Sequence, residues 1–385
     1  MVNRAFVLAV VLAWGQGAPD SLRPRDIHPE SRSRLAPVKR GDLDERGRRI
    51  YDGLPAGLTG AAALRLHSSG SVMRWRFPLG RAAMELAIVT TAREYDQPYE
   101  WSLHAQEALA VGLDPDVLEV VRMRRPLDGL GDTDAIIVQV FRDVVGRHRL
   151  DASTYARAVT ILGERNLVDL IDTTSRWAYF APSLTAFNQH MPPGWIQTLP
   201  LPFEQPGDIH PDSRNRLPLM LAPPGGGGGP PALYSRSLSP AGTGPGQISR
   251  HGGGLESLEA NVGRPLMGLA ILIAARAHDQ QYDWTMNEMV ALKDGLDPLT
   301  IDVVRRGQPT DGLGEREAAL IEFGRELFGR HYVTPATYAR TVRPFGERDL
   351  VDLVALMSQH ASDAMMLTAF DQHLPAGVAA LLPLP

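Results

Sequence analysis

Residues 97–115 read QPYEWSLHAQEALAVGLDP, and residues 280–298 read QQYDWTMNEMVALKDGLDP. The likeness continues without a gap from residues 97–194 to residues 280–377, at one constant spacing along the chain. A match of this length indicates an internal duplication in which each repeat is one structural unit. The chain therefore contains two tandem copies of one domain.

Two copies also suit the length of the chain. At 385 residues it exceeds the size at which a single hydrophobic core stops growing, about 250–300 residues. Each copy has its own lead-in, because Asp26-Ile27-His28-Pro29 returns as Asp208-Ile209-His210-Pro211. We place the first copy at residues 19–198 and the second copy at residues 199–385.

The copies differ most near the start of the second one. Residues 44–54 of the first copy have the pattern of a helix, whereas the matching part of the second copy contains Pro223-Pro224, five glycines at 225–229 and Pro230-Pro231. Glycine and proline disfavour a helix interior by about 1 and 3 kcal/mol. We therefore predict that this helix is lost or shortened in the second copy, and that residues 222–254 form a flexible insert.

Composition excludes several classes of function. Apolar residues make up 44% of the chain, which is enough for hydrophobic cores, and a net charge of −5 argues against a nucleic-acid partner. Cysteine is absent. The chain can therefore form no disulfide, and it cannot use a thiol as a nucleophile.

The N-terminus has the layout of a signal peptide. Arg4 precedes an apolar run at residues 5–14, and small residues follow at Gly17 and Ala18. About ten apolar residues are too few to cross the roughly 30 Å core of a bilayer. We predict a signal peptide at residues 1–18 and a secreted or periplasmic protein; the alternative is a buried N-terminal helix. No later segment is apolar enough for stable membrane insertion.

Hydrophobic spacing predicts helices throughout, and no alternating strand pattern occurs. Two neighbouring helices carry residues at helical spacing, the first at Leu86, Val89, Thr90 and Arg93, and the second at Trp101, Ala105, Ala108 and Leu109. The predicted fold class is therefore all-α.

Helix boundaries can be placed at several points. Asp114-Pro115 and Asp297-Pro298 are typical of an N-cap followed by proline in the first turn. A longer helix is predicted from Leu167 to Phe187, with breaks at Pro182 and at Pro192-Pro193.

One constellation in the first copy could carry chemistry. Glu100 and His104 are four residues apart on a predicted helix, so their side chains lie on one face, and Glu85 can approach from the neighbouring helix. A neighbouring carboxylate stabilises cationic histidine and brings the pKa of the imidazole into the range useful for proton transfer. The spacing alone leaves two interpretations open, a catalytic acid/base pair and a structural hydrogen bond between helices.

These residues also carry a resemblance to a known family. In its thiol-peroxidase branch, typified by alkyl hydroperoxidase D, a glutamate is followed by two cysteines and a histidine, and the same steps here give Glu85, Gln97, Glu100 and His104. Both cysteine positions therefore hold other residues. The decarboxylase branch lacks the cysteine pair, and its pattern is similar to Glu85-Leu86-Ala87, His104 and Gly112. The chain resembles the carboxymuconolactone decarboxylase-like family, and it does so twice.

The resemblance implies a fold, an assembly and a site. It implies two alkyl hydroperoxidase D-like helical domains packed as a pseudo-dimer, and either that internal pairing or a homo-oligomer. It also implies a pocket near His104 for a small-molecule substrate or ligand, without a cofactor. The candidate substrate-binding residues are Gln97, Trp101, Arg176, Trp177 and Tyr179. Trp101 returns as Trp284 in the second copy, which favours a core position for this side chain.

The second copy departs from the site pattern. Its residues at the three acid/base positions are Gly268, Asp283 and Asn287, and those matching Arg176, Trp177 and Tyr179 are Gln359, His360 and Ser362. Asparagine accepts no proton at a useful pH. We therefore predict an acid/base site in the first copy alone. The histidines at 148 and 190 return at 331 and 373, and we assign them to packing or helix capping.

Two functions from different classes remain open. The first is a cofactor-free decarboxylase acting on a small carboxylated lactone or similar conjugated acid, with His104 as the acid, Glu85 orienting it, and Glu100 polarising the substrate or idle. The second is a non-catalytic helical scaffold or small-ligand binder. A thiol peroxidase is rejected because there is no cysteine. One imidazole and two carboxylates form only a weak set of metal ligands, and we predict no metal site.

Overall fold

The computed structural model describes residues 26–54, 59–70, 73–221 and 244–384. These residues form sixteen α-helices and no β-strand, which confirms the all-α prediction. The predicted signal peptide, and residues 222–243 of the predicted insert, lie outside the described residues.

The first copy contributes the first nine helices, with a 3₁₀ turn at Arg40–Asp42 before them and a π-helical turn at Arg142–Gly146 after the seventh. Their bounds are α1 Glu45–Gly53, α2 Ala61–Arg65, α3 Met73–Arg76, α4 Arg81–Glu94, α5 Pro98–Ala110, α6 Pro115–Arg122, α7 Asp132–Phe141, α8 Ala152–Leu162 and α9 Glu164–Ala186. The second copy repeats this order from α2 onward, and its last helix matches both α8 and α9 of the first copy. Its bounds are α10 Pro245–Ser249, α11 Leu255–Asn261, α12 Arg264–Ala277, α13 Gln281–Lys293, α14 Pro298–Arg306, α15 Glu315–Gly329 and α16 Pro335–Ala369.

Two glycines turn the chain at matching places. Gly163, with φ 83° and ψ 142°, separates α8 from α9, and Gly346, with φ 76° and ψ 162°, breaks α16 internally. Such positive φ values suit glycine because it has no Cβ. Both copies therefore redirect the chain at the same point, just before the long helical segment that reaches the candidate site.

The predicted helix near residue 44 and both predicted caps are confirmed. The side chain of Asp44 accepts a hydrogen bond from the N–H of Gly47 at the start of α1. Asp114 and Asp297 each accept one from the N–H two residues further on, ahead of a helix that begins with proline. The matching segment of the second copy lies outside the described residues, so the loss of α1 there stays a prediction.

The predicted break at Pro182 is wrong. Helix α9 continues through this residue to Ala186, and Pro182 is buried. A proline removes one main-chain hydrogen bond from a helix interior. The helix is nevertheless continuous here, where it packs along α16; Ser183 Oγ, for example, lies 3.3 Å from Ser358 Oγ.

Part of the predicted insert is structured. Helix α10 lies within it, and Gln247 and Ile248 of that helix are buried. Gln247 Oε1 accepts a hydrogen bond from Asn215 Nδ2 at 2.8 Å, which joins the helix to the lead-in of its own copy. Residues 244–254, which the prediction placed in the flexible insert, therefore include a packed helix.

Helix α4 is buried on all sides rather than along one face. Every residue from Ala83 to Arg93 is buried, because the helix lies at the centre of the first copy. On α5, Trp101 and its apolar neighbours at 105 and 108 are buried as predicted, whereas Leu109 is 43% exposed and leaves the predicted face. The central place of α4 removes Glu85 from solvent.

Each copy completes the hydrophobic core of the other. The end of α16, residues 365–370, joins the core of the first copy, and the end of α9, residues 184–187, joins the core of the second. The lead-ins follow the same exchange, since the N–H of Arg34 donates to Phe370 O at 2.8 Å and that of Arg216 donates to Phe187 O at 2.9 Å. The two copies therefore share side chains across their contact.

The structure also bears on membrane insertion. Among the described residues, no single helix has both the length and the apolar composition needed to cross a membrane. The consecutive helices α11 and α12 meet these criteria only when taken together, across a bend of 116°.

Histidines meet aspartates where the copies touch. Tyr95 and His278 occupy the same position in the repeat and face each other, with the Tyr95 hydroxyl 3.2 Å from His278 Nε2. On either side a histidine of one copy approaches an aspartate of the other, in the pairs His331–Asp96 at 3.5 Å and His148–Asp279 at 3.7 Å. Two of the four histidines assigned to packing or capping, His148 and His331, therefore contact carboxylates of the opposite copy.

This contact gives the folded protein a predicted acid sensitivity. Burial, and next to it the charge of His148, lowers the pKa of His278 to about 3. The unfolded chain binds this proton near pH 6.5 while the folded protein does not, so the free energy of unfolding falls as the pH drops below 6.5. Between pH 7 and pH 5 we expect His278 to account for a loss of about 2 kcal/mol.

His278 also contacts the Ala274 carbonyl through Nδ1, at 2.8 Å. His278→Gln tests this prediction, because glutamine can still accept from Tyr95 and donate to that carbonyl. Urea unfolding at the two pH values should show that the variant loses about 2 kcal/mol less than the wild type. The exposed His210→Gln is the matched control. An equal loss in all three proteins would contradict the assignment.

Candidate functional site

Glu85 and His104 form the buried contact expected from their spacing. Glu85 on α4 is fully buried, His104 on α5 is nearly so, and Glu85 Oε2 lies 2.8 Å from His104 Nδ1. The other carboxylate oxygen of Glu85 faces two guanidinium groups, with Arg74 Nη2 at 3.3 Å and Arg81 Nη2 at 3.6 Å. Glu85 therefore holds the imidazole on one side and two cations on the other.

The charges of this cluster set its protonation. Burial alone would raise the pKa of Glu85, but His104 and the two arginines outweigh it and hold the pKa below its usual value. Burial alone would lower the pKa of His104, but the carboxylates of Glu85 and Glu100 outweigh it and raise the pKa. Glu85 is therefore an ionised acceptor at neutral pH, and His104 is an imidazole that takes up a proton readily.

The second nitrogen of His104 has two neighbours. Trp177 on α9 donates its indole N–H to His104 Nε2 at 2.8 Å, and the two rings meet edge to face. Glu100 Oε2 lies 3.3 Å from the same nitrogen. The Glu100–His104 pair predicted from the four-residue spacing is therefore present, and the indole of Trp177 joins it.

A cavity of about 440 Å³ lies beside His104 and both neighbours of this nitrogen, Trp177 and Glu100. The first copy lines it with Arg74, Glu100, His104, Trp177, Tyr179, Phe180 and Ser183, and the second copy lines it with Pro245, Gly246, Ile248, Ser249, Val351 and Ala355. Its size suits a small molecule, and its walls combine apolar side chains with a few convergent polar groups. The cavity therefore depends on both copies, although its titratable side chains all come from the first.

Three of the predicted substrate-binding residues lie elsewhere. Gln97 caps α5, accepting from the N–H of Tyr99 at 2.8 Å and donating to Thr185 Oγ1 at 3.1 Å. Trp101 is a core residue whose indole donates to Thr198 Oγ1. Arg176 is exposed and lines a separate, larger groove. None of these three lines the cavity, whereas Trp177 and Tyr179 do.

Sequence reasoning missed Arg74 and the wall from the second copy. Arg74 lies in the short helix α3, and its guanidinium packs 4.6 Å from the ring of Trp75 and 5.2 Å from the ring of Trp177. The run Arg74-Trp75-Arg76 is an unusual pairing of cations with an aromatic residue, and it was the one available signal. The part of the cavity wall that comes from the second copy could not be predicted, because it depends on how the two copies pack together.

The second copy has an acid/base pair of its own, which corrects the prediction that it had none. His360 Nδ1 lies 2.7 Å from Asp283 Oδ2, and Asn287 Nδ2 donates to Asp283 Oδ1 at 2.8 Å. Burial would lower the pKa of His360, but Asp283 outweighs it and raises the pKa. The imidazole comes from the long helix, at the position that matches Trp177. The prediction considered the position that matches His104, which holds Asn287, and therefore missed it.

An ion-pair network lies at the corresponding positions of the second copy, along the larger groove that Arg176 also lines. Arg65 Nε lies 3.3 Å from Asp172 Oδ1, and the same guanidinium bonds to Asp363 and to Ser362 Oγ. The first-copy site has smaller or uncharged side chains at the matching positions, namely Ser249, Ala355, Tyr179 and Phe180. The two copies therefore differ in the chemistry of these walls, which are charged in the second copy and mostly uncharged beside His104.

The acid/base cluster has a geometry that does not favour a shared metal ion. Its two carboxylates contact opposite nitrogens of one imidazole, so the ring separates them. Within the described residues, no group of three or more His, Asp or Glu side chains is arranged to hold a metal ion.

Comparisons with known proteins leave the family open. The chain matches no protein-family model, no curated protein and no solved structure. The resemblance to the carboxymuconolactone decarboxylase-like family therefore rests on the spacing of Glu85, His104 and Gly112 and on the helical fold.

Proposed function

We propose that the first copy is a cofactor-free carboxy-lyase of the carboxymuconolactone decarboxylase type, acting on a small carboxylated lactone or conjugated acid. One observation carries the proposal: His104 and Glu100, buried together with Glu85, line a cavity of about 440 Å³. A proton carrier at the wall of a largely apolar cavity is what such a reaction requires.

The residues divide the work between binding and proton transfer. Arg74 lines the cavity, and its hydrogen bonds to Glu85 are long, at 3.3 Å, so its guanidinium can also bind a substrate carboxylate. The bond from that substrate's reacting carboxylate to carbon breaks, carbon dioxide leaves, and the electron pair moves into the conjugated carbonyl. In the imidazolium form His104 carries a proton on Nε2 in place of the hydrogen bond from Trp177. That proton then forms the new C–H bond, and solvent restores it.

Glu85 acts through His104 in this scheme. Its carboxylate accepts from Nδ1, which fixes the ring orientation and leaves Nε2 toward the cavity. The negative charge also stabilises the imidazolium before proton transfer. Glu85 is therefore a positioning residue, because it does not line the cavity.

The cavity supports this proposal over a scaffold without a binding site. A purely structural pair between α4 and α5 would be packed on every side, whereas His104 and Glu100 both line an open volume. The small and uncharged walls are found at the first-copy site, since the matching positions of the second copy carry an ion-pair network. Ligand binding without turnover is the alternative that the experiments below distinguish.

Ala355→Trp tests whether the cavity is the binding site. Ala355 lines it from α16, so a tryptophan there fills the volume without altering a titratable group. In a thermal-shift screen with small lactones and unsaturated dicarboxylic acids, we expect a ligand near 100 times its Kd to stabilise the wild type by about 2–3 kcal/mol, a shift of a few degrees. The variant should lose this response.

The matched control is Ala152→Trp, the same change at an exposed position on α8. It should respond to the ligand like the wild type. A response that survives in Ala355→Trp would place binding outside the cavity, and a panel that stabilises none of the three proteins would favour the scaffold.

We also propose that the copies form an internal pseudo-dimer and that the protein is exported. The exchanged ends of α9 and α16 and the matching lead-in hydrogen bonds support the first proposal. The charge pattern and apolar run before residue 18 support the second. Gel filtration with light scattering tests the first proposal, and N-terminal sequencing of the exported product tests the second.

A further inference from the structure

One pair of arginines is present in both copies but has different partners in each. Arg142 and Arg157 of the first copy match Arg325 and Arg340 of the second. Arg142 and Arg325 donate to main-chain carbonyls at matching positions, so both guanidinium groups are held in the same way. The difference between the copies therefore lies in the residues around these arginines.

In the second copy a glutamate binds at this place. Glu322 on α15 bonds to Arg340 through one carboxylate oxygen, and its other oxygen accepts from Thr310 Oγ1 at 2.5 Å. The hydrogen bond from Thr310, together with the charges of Arg340 and Arg325, outweighs burial and holds the pKa of Glu322 below its usual value. This position of the repeat therefore suits an ionised carboxylate.

The first copy has lost both the carboxylate and its hydroxyl partner. Gln139 stands at the position of Glu322, and Leu127 stands at the position of Thr310. The amide of Gln139 donates to Asp143 Oδ1 at 2.8 Å, along its own helix. No side chain of α7 therefore supplies the anion that α15 supplies in the second copy.

Arg157 has gained no close replacement for that anion. Its only ion pair among the described residues is with Asp132, at 3.9 Å, and these two side chains are 55% and 87% exposed. A contact this long and this exposed contributes little to stability. The guanidinium of Arg157 is therefore available to a carboxylate from outside the chain.

A cavity of about 470 Å³ is lined by Gln139, Arg142 and Arg157 together. Leu127 and Leu130 form an apolar part of its wall, and both pack against the core of the first copy. A cavity of this size takes a small molecule, and cations beside an apolar wall suit an acid with an apolar body.

The remaining charged groups of the cavity are compatible with an anion. Arg147 also lines it and is paired with a buried aspartate at 3.0 Å. Two exposed acids, Asp128 and Asp132, lie in the wall as well. Both positions are also acidic in the second copy, where Glu322 nevertheless binds Arg340. These acids therefore do not prevent a carboxylate from binding at this place.

We propose that this cavity binds a small organic carboxylate with an apolar body, whose carboxylate takes the place that the Glu322 side chain holds in the second copy. The ligand carboxylate pairs with Arg157 beside the charge of Arg142, and its apolar body packs on Leu127. The cavity shares no lining residue with the cavity beside His104. It is therefore a second ligand site, and it does not rest on the proposed function.

Saturation-transfer NMR with benzoate tests the proposal on the full chain, at low ionic strength where exposed charges are least screened. We expect saturable binding to the wild type. Arg157→Gln removes the cation, and Gln139→Glu supplies the carboxylate of the second copy from within the chain, so each should raise the Kd for benzoate at least about tenfold. Benzyl alcohol, which has the same ring without the charge, should bind at least about tenfold more weakly than benzoate.

Two control variants locate the binding. Arg149→Gln is the same substitution at an exposed arginine outside the cavity wall, and it should leave the Kd unchanged. Ala355→Trp fills the cavity beside His104 and should also leave the Kd unchanged. Absence of saturable binding to the wild type, an equal Kd in the wild type and Arg157→Gln, or equal binding of benzyl alcohol would overturn the proposal. Loss of benzoate binding in Ala355→Trp would overturn it too, while supporting the cavity beside His104 as a ligand site.

Discussion

Glu85→Gln should lower the free energy of unfolding at neutral pH by about 3 kcal/mol. The variant keeps the shape of the side chain but removes the anion that faces Arg74, Arg81 and His104 from a fully buried position. Breaking a buried ion pair from one side typically destabilises a protein by about 3–5 kcal/mol, because the remaining charges stay buried without compensation. The partial exposure of both arginines, 17% and 19%, favours the lower end.

The pH dependence of this loss has a defined sign. The pKa of Glu85 is held below its usual value, so its stabilising effect is present above pH 4.5 and disappears as the pH falls through that lowered pKa. The raised pKa of His104 adds stability below about pH 6.5 that is lost as the pH rises through the raised value. The destabilisation by Glu85→Gln should therefore be largest between about pH 4.5 and pH 6.5 and should shrink in stronger acid.

Glu119→Gln provides the matched control for urea unfolding. Glu119 forms surface ion pairs with Arg122 and Arg125, and the same substitution there should change stability by less than about 1 kcal/mol. If Glu85→Gln were as stable as this control at pH 7, Glu85 would not be a buried, ionised anchor of the site.

His104→Asn should lower the rate of the proposed decarboxylation by about 10²–10⁴, the range typical of a lost general acid or proton relay. The variant installs the residue found at the matching position of the second copy, Asn287. Ligand affinity should change much less, because Arg74 and the apolar walls of the cavity remain. Single-turnover rates and binding titrations with a ligand found by the thermal-shift screen measure the two effects separately.

The exposed His210→Asn controls for the substitution itself and should retain the wild-type rate. A His104→Asn variant that keeps more than about a tenth of the rate would contradict a proton-transfer role for this histidine.

Local patterns predicted the helices and the contact between Glu85 and His104. Both depend on spacing within α4 and α5, and the helical period places Glu100 and His104 on one face. The duplication strengthened these predictions, because caps such as Asp114 and Asp297 occur twice. The family comparisons add no match, so the activity remains a proposal.

Features that depend on packing between distant segments were not predictable. Arg74 reaches the cluster from a separate four-residue helix, and Ala355 closes the cavity from the other copy. Gln97 was assigned to the site because it aligns with a catalytic cysteine of the family. Its side chain instead caps the N-terminus of α5. His360 was missed for the same reason. It pairs with Asp283 from the long helix α16, whereas His104 lies on α5.

Proton NMR of small lactones and unsaturated dicarboxylic acids incubated with the protein in heavy water tests the central claim most directly. We predict that the wild type releases carbon dioxide from one of these ligands and places one solvent deuterium on the carbon that lost it, and that His104→Asn and Ala355→Trp do not. A ligand that binds in the cavity of the wild type but keeps its carboxylate and gains no deuterium would contradict the account.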